Sequence, residues 1–232
     1  LNYNHLEDLS LITNQTAAVF IDPVQAESGV TVPSHNYMKS LRDRCNETGT
    51  LLVLDEIQTG CGRTGSMFAF EDLDLVPDIL LLAKGFGGGM PLGAFISSSK
   101  IMSSLSHDPV LGHITTFGGH PVSCTAALAN LQVLLRENYI QEVSKKEKIF
   151  LEKLKHPAKK KITHKGLLMA VHLDNFENLQ KVIHSCIKKG VLTDWFLFEP
   201  NAMRIAPPLI IQEEDIHFAC DAILSALDEV YS

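Results

Sequence analysis

The chain has 232 residues, 45% of them hydrophobic, and a formal net charge of −7. A chain of this length and apolar content can bury a substantial core in one or two domains, and its acidic balance argues against a nucleic-acid partner, because phosphate binding draws on a concentrated basic surface. No apolar run reaches the ~18 residues of a membrane-spanning helix, LNYNHLEDLS lacks the basic start and apolar centre of a signal peptide, and five widely spaced cysteines without a CxxC pair suit a reducing, cytosolic compartment.

A helix-like LEDLSLI leads into a strand expected over 17–22, closed by Pro23. The following VQAESGVTVP is a loop bounded by Gly and Pro, and Glu27 within it is, by itself, an ordinary solvated acid. Ser34 suits the N-cap of a helix over 35–48, whose Tyr37, Met38, Leu41 and Cys45 recur at helical spacing, and Gly49 suits its end. Two apolar runs then each deliver one polar residue. Asp55 follows 50–54, and Lys84 follows 79–83. A helix between apolar strands is the unit of a parallel sheet, and ligands sit at the C-terminal edge of such sheets. Taken singly, Asp55 is a cap or turn former and Lys84 a solvated charge. Taken together they suggest pyridoxal phosphate: a lysine against an apolar wall can attack a carbonyl, and a carboxylate on a pyridine nitrogen makes the ring an electron sink.

Gly85, Gly87, Gly88 and Gly89 follow the lysine, whereas a Walker-type phosphate loop places its glycines before it, and the dinucleotide GxGxxG pattern fails in this register. A strand is expected over 93–98 and a short polar helix to about 106. His107, His113 and His120 lack zinc-ligand spacing, so no metal site is expected. Pro121 suits the first turn of an apolar helix that is expected to run on to Leu154 and leave the first domain, with domains assigned as 1–135 and 136–232. KKEK and HPAKKK are expected to be a solvated helix end and turn. The second domain is expected to be α+β: a strand over 167–173, a helix over 176–189 closed by Gly190, short strands near Val191, Phe196 and Met203, and a terminal helix over 213–231. Arg204, in MRIAPPL, suits a carboxylate held bidentately.

DEIQTGCGRTG, PDILLLAKGFGGGMPLGAF and TTFGGHPVSCTAALA, in that order, resemble the class III pyridoxal-phosphate aminotransferases, with the ornithine and acetylornithine branch the nearest match. The resemblance runs the full length supplied and corresponds to the C-terminal half of such an enzyme, so a missing upstream half is expected to supply a phosphate-binding loop and an aromatic residue stacked on the cofactor. It implies fold type I, an α/β arrangement with a mostly parallel sheet flanked by helices and a smaller C-terminal α+β domain, and pyridoxal 5'-phosphate as cofactor. Lys84 would carry it covalently, Asp55 would bond its ring nitrogen, and Gln58 its phenolic oxygen. The spacing of 29 residues from Asp55 to Lys84 matches the family separation. Thr116 would reach the cofactor phosphate of a neighbouring subunit, which implies a homodimer with a shared site. Arg204 would hold the α-carboxylate of 2-oxoglutarate or glutamate, with Glu27 masking it while an ω-amino substrate is bound. Asp22-Pro23 replaces the usual Glu-Pro, and His120 stands where the family has Asn. The implied reaction moves an amino group from an ω-amino acid, such as ornithine or N-acetylornithine, to 2-oxoglutarate. The alternatives are another class III enzyme (4-aminobutyrate or lysine aminotransferase, aminomutase or decarboxylase) or a non-catalytic folded fragment.

Overall fold

The computed structural model describes residues 1–232 and divides them into two compact units. The first comprises 1–23, 33–61 and 68–137; the second comprises 24–32, 62–67 and 138–232. Two short segments of the first 137 residues therefore pack with the second unit.

The first unit is built on strands β1 (Ala18–Ile21), β2 (Leu51–Asp55), β3 (Ile79–Leu82) and β4 (Ala94–Ser97), adjacent in that order. β1, β2 and β3 run parallel and β4 antiparallel. Helix α1 (His35–Thr48) makes the β1–β2 crossover. Ser34 accepts a hydrogen bond from the Tyr37 backbone at 3.2 Å, and Gly49 closes the helix at φ 72°, a left-handed conformation natural to glycine. Its apolar stripe, Tyr37, Met38, Leu41 and Cys45, is buried against Leu52, Leu54, Leu80 and Leu82. Asp78 fastens the start of β3: its Oδ2 accepts from the Leu52 N–H at 2.7 Å and from Arg42 at 2.8 Å. The expected opening helix is a single 3-10 turn (Glu7–Leu11). Beyond β4 lie α2 (Ser99–Met102) and a 3-10 turn, then an exposed segment leading to α3 (Pro121–Arg136).

The long helix expected from Pro121 to Leu154 is two helices, α3 and α4 (Tyr139–Lys153). Glu137 is extended (φ −93°, ψ 156°), and the Asn138 carbonyl restarts the ladder by accepting from Glu142. The break falls at a polar Arg-Glu-Asn step where no apolar side chain binds the chain to one helical face.

The second unit is an antiparallel sheet of β5 (Lys161–Lys165), β6 (Leu168–His172) and β7 (Ala202–Ile205), with α4, α5 (Phe176–Lys188) and α6 (Glu213–Tyr231). β5, not expected from the sequence, begins at the last lysine of the HPAKKK stretch expected to be a solvated turn: it is an edge strand, where lysine is tolerated because one side faces water. Backbone from Val191 forms no regular strand, and a single bridge joins Trp195 to Met203. Every residue of β6 is buried. Met169 and Val171 enter a core with Val182, Ile216 and Ile223, while Leu168 and Ala170 join Val24, Ala26, Val30, Phe196 and Ala202. The two-residue alternation of a strand thus splits β6 between two apolar layers. No helix in the chain is long and apolar enough to cross a membrane.

Candidate active site

Two groups of residues carry the expected chemistry, one in each unit. In the first, Asp55 ends β2 and pairs in parallel register with Leu81, so Lys84, three residues beyond Leu81 and just past the end of β3, lies at the same C-terminal sheet edge. Asp55 Oδ1 accepts from the Ile57 N–H at 2.9 Å, while Oδ2 faces no protein donor. Lys84 is exposed, its amine takes no protein partner, and its backbone is held at φ 48°. That left-handed conformation is strained for a residue with a Cβ, and such strain gathers at functional positions. The glycines behind it let the chain close on α3: a Cβ on Gly88 (φ 60°) would stand 2.5 Å from the Ala126 carbonyl oxygen, and Asn130 donates to the Gly85 carbonyl at 2.9 Å. Gln58 lies half-buried in the turn after β2, and Thr116 lies in the exposed segment before α3.

Sequence reasoning passed over Glu56. It is 1% exposed, and its carboxylate accepts from Thr59 Oγ1 at 2.5 Å, the Ala69 N–H at 3.0 Å and the Phe70 N–H at 2.9 Å. Burial pushes its carboxyl above the ordinary glutamate value, against the opposing pull of these three donors. Glu56 thereby closes the excursion that follows Asp55 by clasping residues more than a dozen positions away. The only sequence signal was an acid adjoining Asp55, which by strand alternation had to face the other way.

In the second unit, Arg204 on β7 stands opposite Ala170 and so belongs to the layer that includes the 24–32 loop. That loop brings Glu27 to it. Arg204 donates Nη1 to Oε1 at 3.1 Å and Nη2 to Oε2 at 3.0 Å, a bidentate fork between residues 177 positions apart. Glu27 Oε2 also accepts from the Leu197 N–H at 3.1 Å. Three further groups surround the guanidinium, none of them singled out by the sequence: the Asp194 carboxylate 3.1 Å from Nε, the Trp195 carbonyl accepting from Nη2 at 3.2 Å, and the Phe196 ring 4.5 Å below Cζ. A cavity of about 310 Å³ adjoins it, lined by Leu192, Thr193, Asp194, Arg204 and Ala206. Arg63 braces the backbone: its guanidinium donates to the carbonyls of Leu167 at 3.0 Å and Pro207 at 2.5 Å.

The first unit, a mostly parallel α/β sheet, thus presents a lysine and a carboxylate at one sheet edge, and the second, an α+β unit, presents an acid-paired arginine. The profile of the family "Aminotransferase class-III" matches residues 2–227, and the chain belongs to that family. It is 39% identical to the acetylornithine aminotransferase of Methanocaldococcus jannaschii over 99% of its own length and 56% of that protein's. With the acetylornithine aminotransferase of Caldanaerobacter subterraneus subsp. tengcongensis it shares 36% identity, over 99% and 57% respectively. The ornithine aminotransferase of Toxoplasma gondii, solved with PLP partly occupying its active site, superposes with a TM-score of 0.90 at 33% identity, over 99% of this chain and 55% of that one. The chain thus spans a little over half the length of the curated relatives it matches.

Proposed function

We propose that this chain belongs to a pyridoxal-phosphate-dependent aminotransferase that moves the amino group of an ω-amino acid, such as ornithine or N-acetylornithine, to 2-oxoglutarate, giving a semialdehyde and glutamate. In this reading 1–135 is the C-terminal part of the cofactor domain and 136–232 the small domain. The observation that carries the reading is Lys84, held at φ 48° just past β3, at the strand edge it shares with Asp55. The donor set fits the cofactor: an uncommitted primary amine for an aldehyde, and a carboxylate whose Oδ2 is open to a protonated ring nitrogen.

When bound, the cofactor supplies an aldehyde that condenses with amines and a ring that withdraws electrons. Asp55 Oδ2 would accept the ring N–H and so favour a protonated ring nitrogen. Lys84 Nζ would hold the cofactor aldehyde covalently, and as a free amine it would serve as the base toward the amine-bearing carbon of the substrate. Gln58 would bond the phenolic oxygen, and Thr116 would donate to the phosphate of a cofactor held by a second copy of the chain. The exposed Val110, Leu111, Ile114 and Phe117 near Thr116 suit burial in such a homodimer. Arg204 receives the α-carboxylate of the oxo acid, and Glu27 covers it when the substrate has no carboxylate to place there. Five free thiols suit a reducing, cytoplasmic setting.

Borohydride reduction in the presence of pyridoxal phosphate, followed by peptide mass mapping, tests the reading. One adduct on the peptide containing Lys84, lost in Lys84→Ala, is expected. Adducts scattered over surface lysines, or none, would sink it. Supplying ornithine, N-acetylornithine, 4-aminobutyrate or lysine with 2-oxoglutarate and measuring glutamate separates this donor class from other class III enzymes.

A further inference from the structure

We infer that Asp194 is the balancing residue of the Arg204 receptor: a second counter-ion that loosens the arginine's hold on whichever carboxylate occupies it, so that Glu27 and an incoming acid can exchange. The inference rests on the proposed role of Arg204 as acid receptor.

Asp194 is built into the receptor. The Arg204 N–H donates to its carbonyl at 2.9 Å, and Thr193 Oγ1 donates to the Arg204 carbonyl at 2.5 Å, so this segment lies along β7 with its register fixed. Its carboxylate meets the Nε edge of the guanidinium at 3.1 Å, while Glu27 takes the Nη1/Nη2 fork. The two acids therefore occupy different edges at the same time. One guanidinium shared by two carboxylates leaves the cluster net negative. With Arg204 and Glu27 only 20% and 22% exposed, the pair by itself would be a tight latch, because parting it strands a half-buried cation. Asp194, 61% exposed, keeps a negative charge on Arg204 when Glu27 leaves, and it repels either acid on the fork about equally.

The receptor carries its own reporter. Trp195 is the sole tryptophan of the chain, and its carbonyl accepts from Arg204 Nη2. Glutarate, an unreactive dicarboxylate, is titrated against Trp195 fluorescence, at equilibrium and by stopped flow, in four proteins: wild type, Asp194→Asn, Glu27→Gln and the double variant. With Glu27 present, Asp194→Asn is expected to leave Kd within about twofold while slowing both association and dissociation. In the Glu27→Gln background the same change is expected to tighten glutarate binding about three- to fivefold, the scale of a partly exposed ion pair. Asp194→Glu, which keeps the charge, should behave as wild type. Equal shifts of Kd in both backgrounds, or unchanged rates, would overturn the inference. Arg204→Lys serves as a separate control: if it binds glutarate as wild type does, the acid-receptor reading itself fails, whatever Asp194 does.

Discussion

Glu56 and His172 show how single buried groups hold the two units. Glu56 satisfies two backbone N–H groups and a hydroxyl at once, so Glu56→Gln, which turns one acceptor into a donor facing a donor, should cost about 1–3 kcal/mol of unfolding free energy. A urea titration that leaves its midpoint unmoved would contradict that. His172 on β6 is 6% exposed, and its Nε2 lies 2.8 Å from Thr163 Oγ1, which itself donates to the Gly29 carbonyl. Burial, and then the Lys161 charge, hold the imidazole below its ordinary value of 6.5, against Glu199 and the Gly29 contact. A depressed folded value means the folded state binds the proton less tightly than the unfolded chain does. The stabilisation is therefore complete above about pH 6.5 and is lost as pH falls through the folded value. His172→Gln should flatten the decline in thermal midpoint below pH 6.5, and an unchanged slope would assign that decline to other groups.

Among elements, the turns separate conformational strain from steric conflict. Gly49 and Gly166 both have positive φ, 72° and 61°. A Cβ on Gly49 meets nothing within 4 Å, whereas on Gly166, at the β5–β6 turn, it would lie 2.7 Å from the Arg63 carbonyl oxygen and from the Thr64 carbonyl carbon. Gly49→Ala should cost about 1–2 kcal/mol, the price of left-handed backbone alone. Gly166→Ala should cost more, because backbone atoms cannot step aside. Comparable losses in thermal unfolding would mean that the 62–67 segment yields. The elements best read from sequence were those with both a cap and a complete apolar stripe: α1 has the bounds its Ser34 and Gly49 imply. β5 was missed because its stability comes from pairing with β6 rather than from its own pattern, and the α3–α4 break was missed because apolar residues on either side of it continue the helical spacing.

At the scale of the whole molecule, the second unit is not a contiguous piece of chain. Val24, Ala26 and Val30 fill the layer over Leu168, Ala170, Phe196 and Ala202. A fragment of residues 138–232 alone would lose two buried valines, about 3 kcal/mol or more, and would expose that face of β6. Its NMR spectrum should be poorly dispersed and it should bind a hydrophobic dye. A well-dispersed spectrum would mean that the helical layer suffices without the 24–32 loop.

The sequence by itself determined the family, the parallel strands that lead to Asp55 and Lys84, and the residue types able to handle an aldehyde, a ring nitrogen and a carboxylate, because local periodicity, caps and long motifs act over short distances. It also named Glu27 and Arg204 as partners, through resemblance alone. Only the tertiary structure decided that a bidentate pair forms between them, that Asp194, Trp195 and Phe196 complete its surroundings, and that Glu56 turns inward to clasp a distant turn. These contacts lie beyond the reach of a single helical turn or strand repeat, the longest of them between residues 177 positions apart, and what selects them is sheet register and the layer each side chain enters, which no local pattern encodes.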